Sequence, residues 1–166
     1  EQWELKSSLV SYGHDIECSW LLHEAAGILG KEELLKDTSI LAVALARENI
    51  NGLDQDGGLF YEFFPESLEL DADKHWWPQA EAMVGYFNAW QESGKQLFLE
   101  KALGSWEFIK AFLVDKDRGE WYWSVSRDRV PQTEKEKAGF WKCPYHNGRS
   151  CMELIRRINE IESKLD

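Results

Sequence analysis

Gly13-His14-Asp15-Ile16-Glu17-Cys18-Ser19-Trp20-Leu21-Leu22-His23-Glu24-Ala25-Ala26-Gly27-Ile28-Leu29 carries two patterns at once. From Asp15 on, Ile16, Trp20, Leu21, Leu22, Ala25, Ala26, Ile28 and Leu29 cover most of a helical circumference. That predicts a helix over about 15–29, buried nearly all round, with Gly30 as its C-cap. At its N-terminal end His14, Glu17 and Trp20 recur at i, i+3 and i+6. On a helix this spacing is a drifting stripe along one side.

Four more segments read as helices. The second covers about 32–49, with Leu34, Leu41 and Leu45 on one stripe. The third covers about 78–91 and opens on Pro78, which suits a first helical turn. The fourth covers about 95–114, with Phe98, Trp106, Ile109 and Leu113 in register. The fifth starts near Asn147, where Cys151, Leu154, Ile155, Ile158 and Ile161 form an i, i+3/i+4, i+7 stripe. Between them lie turn signals and short strand-like pieces, 59–64 and 120–125, too few to build a large sheet. Distinctive motifs fall on the first, third and fifth helices, which alternate with plainer ones. The expectation is an all-α fold in two layers, one set of helices inside and the other packed around it.

Composition narrows the function. The chain has 166 residues, 43% hydrophobic and 30% charged, which is globular rather than disordered. No apolar run is long enough to span a bilayer, and Glu1-Gln2-Trp3-Glu4 carries no targeting pattern. No membrane is therefore expected as a partner, and a net charge of −11 repels phosphate backbones, so nucleic acid is not expected either. Cys18, Cys143 and Cys151 are odd in number and read as reduced thiols of a cytoplasmic protein. Nine Trp, five Tyr and eight Phe exceed what core packing usually asks of such a chain. Flat aromatic faces stack on sugar rings while carboxylates and amides hold hydroxyls, so the composition fits a carbohydrate site; it also fits a Trp-rich core.

Three helix starts carry the candidate chemistry. His14 with Glu17 and Trp20 is the first; alone, such a histidine also serves as a hydrogen-bonded structural residue. In His75-Trp76-Trp77-Pro78-Gln79-Ala80-Glu81, Trp77 and Glu81 are four apart and share a face, an indole platform with a carboxylate one turn on. Two core tryptophans and a surface glutamate would give the same letters. In Trp141-Lys142-Cys143-Pro144-Tyr145-His146-Asn147-Gly148-Arg149, His146 and Arg149 stand at i, i+3, where an imidazole can move a proton and a guanidinium can stabilise an oxyanion. Cys143-x-x-His146 lacks the second ligand pair of a zinc site, so no metal is expected. Asp54-Gln55-Asp56-Gly57 resembles a calcium loop but has no carboxylate at its first or twelfth position. No nucleophile-elbow pattern frames a serine. Inner helices of a barrel would gather these three starts around one pocket.

These three blocks resemble the N-acylglucosamine 2-epimerase superfamily, above all its cellobiose 2-epimerase branch. The resemblance implies an (α/α)6 barrel, of which this chain supplies about the last five helices. Residues 1–166 are then the C-terminal part of a single barrel domain, and pairing with the absent half or with another chain is expected. It implies epimerisation at C2 of the reducing-end sugar of a β-1,4-linked disaccharide, glucose to mannose configuration, by ring opening and proton transfer through an enediolate, without cofactor. His14 and His146 would be the acid/base pair, with Glu17 orienting or polarising His14. Trp77 and Trp141 would be sugar platforms, Trp20 and Trp76 would shape the pocket, and Glu81 and Arg149 would complete its polar lining. An N-acylglucosamine epimerase, an aldose–ketose isomerase, a carbohydrate-binding module, an inverting glycoside hydrolase using Glu17 and Glu81, and an inactive fragment are the rival readings.

Overall fold

The computed structural model describes residues 7–165; the opening residues 1–4 lie outside them. Five helices dominate: α1 Tyr12–Leu29, α2 Glu32–Asn49, α3 Trp76–Ser93, α4 Gln96–Phe108 and α5 Tyr145–Glu162. The helix expected over 95–114 keeps α-form to Phe108 and widens into a π-helical turn over Ile109–Leu113. No described helix is long and apolar enough to cross a membrane.

Helices α1, α3 and α5 stand side by side, with α2 packed behind α1 and α3, and α4 against α3. The molecule is therefore an arc of two helical layers, as the alternation of motifs predicts. All-round burial belongs to α3: every residue from Trp76 to Ala89 is buried. Helix α1 corrects the expectation made for it. Leu21, Leu22, Ile28 and Leu29 are exposed, because α1 stands at the edge of the arc and is covered on one side only. The Leu34 and Leu41 stripe of α2 also faces out; its buried face is Thr38, Ala42, Ala46 and Asn49. Small side chains let α2 lie close to α1, and hydropathy alone does not mark that face.

Short strands cap the helix starts. Strands β1 Val10–Ser11, β2 Glu62–Phe64 and β3 Glu69–Asp71 form one antiparallel sheet, and β4 Lys74–His75 pairs with β5 Ser124–Val125. They fix the loops that approach α1 and α3. Lys74 is wholly buried, and its ammonium lies 2.8 Å from carboxylate oxygens of both Asp54 and Asp56. The cation that this acidic turn holds is thus a lysine of the same chain. Burying the charge is tolerable only because it is paired.

Candidate active site

The three helix starts meet at one end of the arc. His14 is the third residue of α1, Trp77 the second of α3 and His146 the second of α5. The Trp77 ring centroid lies 4.7 Å from that of His14 and 5.4 Å from that of His146. Glycine makes this approach possible. A Cβ at position 13 would lie 2.4 Å from Trp77 Cη2 and 2.9 Å from Pro78 Cγ. Further along α3, a Cβ at Gly85 would lie 2.5 Å from Ile16 Cγ1. The two glycines let α1 and α3 touch along their length.

His14, Trp77, His146, Glu17, Trp76 and Trp141 line one open cavity of about 680 Å³, within the range of small-molecule sites. Tyr61, His75, Trp123 and Tyr145 complete its wall. Tyr61 and Trp123 lie outside the three motifs, in extended segments where no periodicity marks them. Trp76 is 4% exposed and tilts against Trp123 at 4.8 Å between centroids. Trp141 stands at the rim, 77% exposed, edge-on to Phe140.

Each histidine is held by one nitrogen. Ser11 sits at the N-cap of α1 but does not cap it; its hydroxyl lies 2.7 Å from His14 Nδ1. His146 Nδ1 lies 2.7 Å from Glu81 Oε1. A carboxylate oxygen accepts, so Nδ1 of His146 is the donor in this contact and Nε2 is the ring nitrogen not engaged by Glu81. The same second-group logic orients histidines in many proton-transfer sites.

Glu81 is the hub behind the wall. It is fully buried, and besides His146 it accepts from Arg149 Nη2 at 2.6 Å and from Trp20 Nε1 at 3.0 Å. Arg149 Nη2 also donates to Glu17 Oε1 at 2.7 Å, and Nη1 to the Tyr145 hydroxyl at 2.6 Å. Its guanidinium lies over the rings of Tyr145 and Trp20, 4.4 and 5.0 Å from their centroids. Burial works against its charge, but the hydrogen bonds to Glu17 and Glu81 outweigh it and raise its pKa.

Two expectations are corrected here, for Glu17 and for Trp20. Glu17 does not orient His14, whose Nδ1 meets Ser11. It binds Arg149 and comes within 3.9 Å of His146 Nδ1, because three residues along the helix turn it toward α5. Arg149 binds both carboxylates through Nη2 and ties them together, while its buried Nε has no partner among the described residues. Trp20 is 3% exposed and supports Glu81 from behind rather than lining the cavity.

Glu17, Glu81 and His146 each offer a metal-ligating atom, all within 4.8 Å of one another. Arg149 bonds both carboxylates, so a cation already stands between them. Cys143 is exposed and is not part of that group.

Residues 2–149 match the N-acylglucosamine 2-epimerase (GlcNAc 2-epimerase) family. The cellobiose 2-epimerase of Bacteroides fragilis is 47% identical over 153 residues, 92% of this chain and 39% of that protein. That of Ruminococcus albus is 44% identical over 160 residues, 96% of this chain and 41% of that protein. A solved sugar epimerase from a ruminal bacterium superposes with a TM-score of 0.86 at 45% identity, covering 93% of this chain and 39% of that one. The chain thus spans about two fifths of the length of these relatives, their C-terminal part. Its helical arc is the matching portion of an (α/α)6 barrel. On this match and these identities, the chain belongs to the N-acylglucosamine 2-epimerase family.

Proposed function

We propose that residues 1–166 are the C-terminal part of a single (α/α)6 barrel domain of a sugar 2-epimerase. It acts at C2 of the reducing-end sugar of a β-1,4-linked disaccharide, interconverting glucose and mannose configurations. The observation that carries this reading is the pair of imidazoles set against one indole, His14 and His146 at 4.7 and 5.4 Å from Trp77. Relatives named cellobiose 2-epimerase support the substrate class.

The chemistry follows from acidity. A C2–H bond in a closed pyranose is not acidic. Ring opening makes an aldehyde at C1, and the C2 proton then lies α to a carbonyl. One imidazole takes that proton; the C–H electron pair becomes the C1–C2 double bond, and the carbonyl pair moves onto oxygen, giving an enediolate. The other imidazole returns a proton to the opposite face of C2 and the double bond reverts to the aldehyde. Electrons balance without any redox partner, so the route calls on no cofactor. Imidazoles suit both roles near neutral pH. Glu81 fixes the proton on His146 Nδ1, and Arg149 with Glu17 holds Glu81 in place. Trp77 supplies the platform under the reacting ring, and Trp141 a second one at the rim.

The apolar groove between α3, α4 and α5 supports pairing with the remainder of a barrel or with another chain. Leu103, Trp106, Ile155 and Ile158 are exposed there. Three free cysteines fit a cytoplasmic location.

Product analysis of the full-length protein with cellobiose tests the function. The proposal expects an intact disaccharide carrying mannose at its reducing end. Monosaccharides would mean a hydrolase, a ketose an isomerase, and unchanged cellobiose a binding module.

A further inference from the structure

A second ring pair stands on the cavity wall, apart from the two-histidine centre. Tyr61 and His75 stack with centroids 3.9 Å apart and planes 14° from parallel. Tyr61 meets Trp77 edge-on at 6.3 Å. Among the described ring pairs, His75 is in contact with Tyr61 alone. Backbone pairing fixes both residues: His75 pairs with Ser124 across β4 and β5, and the Tyr61 N–H donates to the Asp71 carbonyl at 3.1 Å.

Stacking on Tyr61 uses the face of the His75 ring and leaves its nitrogens without a structural task. His75 occupies the N-cap position of α3 but makes no capping hydrogen bond. Among the described residues neither of its ring nitrogens has a hydrogen-bond partner, and the ring lines the cavity. Both nitrogens are thus free to meet a group that enters the cavity. Burial, reinforced by Lys135 and opposed by Asp71 and Asp73, pushes its pKa down to about 4. Near neutral pH the ring is uncharged, with one N–H donor and one acceptor. It is therefore suited to a hydroxyl group, and unsuited to join His14 and His146 in proton transfer.

The cavity extends from Trp77 and the two histidines to Tyr61 and His75, so a sugar ring placed on Trp77 would have this pair beside it. We infer that the Tyr61–His75 pair contacts the sugar ring that is not epimerised and sets the preference for a disaccharide over a monosaccharide. This rests on the sugar 2-epimerase reading of the cavity.

The test compares kcat/KM for cellobiose and for glucose in the full-length protein. His75→Phe keeps a flat ring against Tyr61 and removes both hydrogen-bonding nitrogens. The cellobiose-to-glucose ratio of kcat/KM should fall about 10–100-fold, the scale of losing a polar contact to one substrate only. His75→Asn, with an uncharged donor and acceptor, should recover most of that ratio. If the Phe variant folds poorly, His75→Leu carries the same comparison. Equal losses on both sugars would mean a purely structural role and would overturn the inference, as would an unaltered ratio. An unmodified protein that epimerises neither sugar would overturn the underlying reading, and the inference with it.

Discussion

Glu81 Oε1 lies 2.7 Å from His146 Nδ1, and the carboxylate that makes this contact is fully buried. A buried carboxylate is costly unless it is well paired, and this one has Arg149 and Trp20 as further donors. The arrangement spends that cost on fixing one tautomer of one imidazole. Glu81→Gln keeps the shape but offers an amide that can donate as well as accept, so the proton on His146 is no longer assigned. Turnover should fall roughly 10²-fold or more, with KM changing far less. Steady-state kinetics decide it; an effect confined to KM would make Glu81 a sugar contact instead.

Gly13→Ala places a methyl group inside the van der Waals envelope of Trp77, 2.4 Å from Cη2. Overpacking of this kind costs about 1–3 kcal/mol. Trp77 must tilt away from His14 or α1 must move off α3. The thermal midpoint should drop and KM for the disaccharide should rise together. Unaltered melting and kinetics would contradict the close approach of α1 and α3.

His75 gives an acid limb to stability. Its pKa is about 4 in the folded protein and near the ordinary 6.5 when unfolded. Between these values the unfolded chain binds a proton that the folded chain does not, so stability is lost as pH falls through this window and levels off below about 4. The full shift corresponds to roughly 3 kcal/mol. Denaturation midpoints measured from pH 7 to pH 4 should therefore decline less steeply in His75→Phe than in the unmodified protein. Parallel curves would show that the ring is not held neutral by burial.

The convergence of His14, Trp77 and His146 is legible because all three occur in the first turn of a helix and alternate helices run the same way. Local spacing carries that information. Partnerships do not travel with spacing. Glu17 looks like the neighbour of His14 at i, i+3, yet its partner is Arg149, 132 residues away along the chain. Ser11 reads as a cap from its position and spends its hydroxyl on His14 instead. Tyr61 and Trp123 reach the cavity from extended loops pinned by β2, β3 and β5, and no helical period points to them. Hydropathy likewise favours α1 as the buried helix, while the helix surrounded by others is α3, a property of neighbours rather than of composition.

The enediolate route between His14 and His146 is tested most directly by running the epimerisation in D2O and locating the label by NMR. The account predicts deuterium at C2 of the epimer, because the proton returned there comes from an imidazole that exchanges with solvent. It also predicts that His14→Asn and His146→Asn each lower turnover by roughly 10²–10⁴-fold, the scale of a lost general acid or base. Epimer that forms with no deuterium at C2, and with no internal return of the substrate's own proton, would contradict the account.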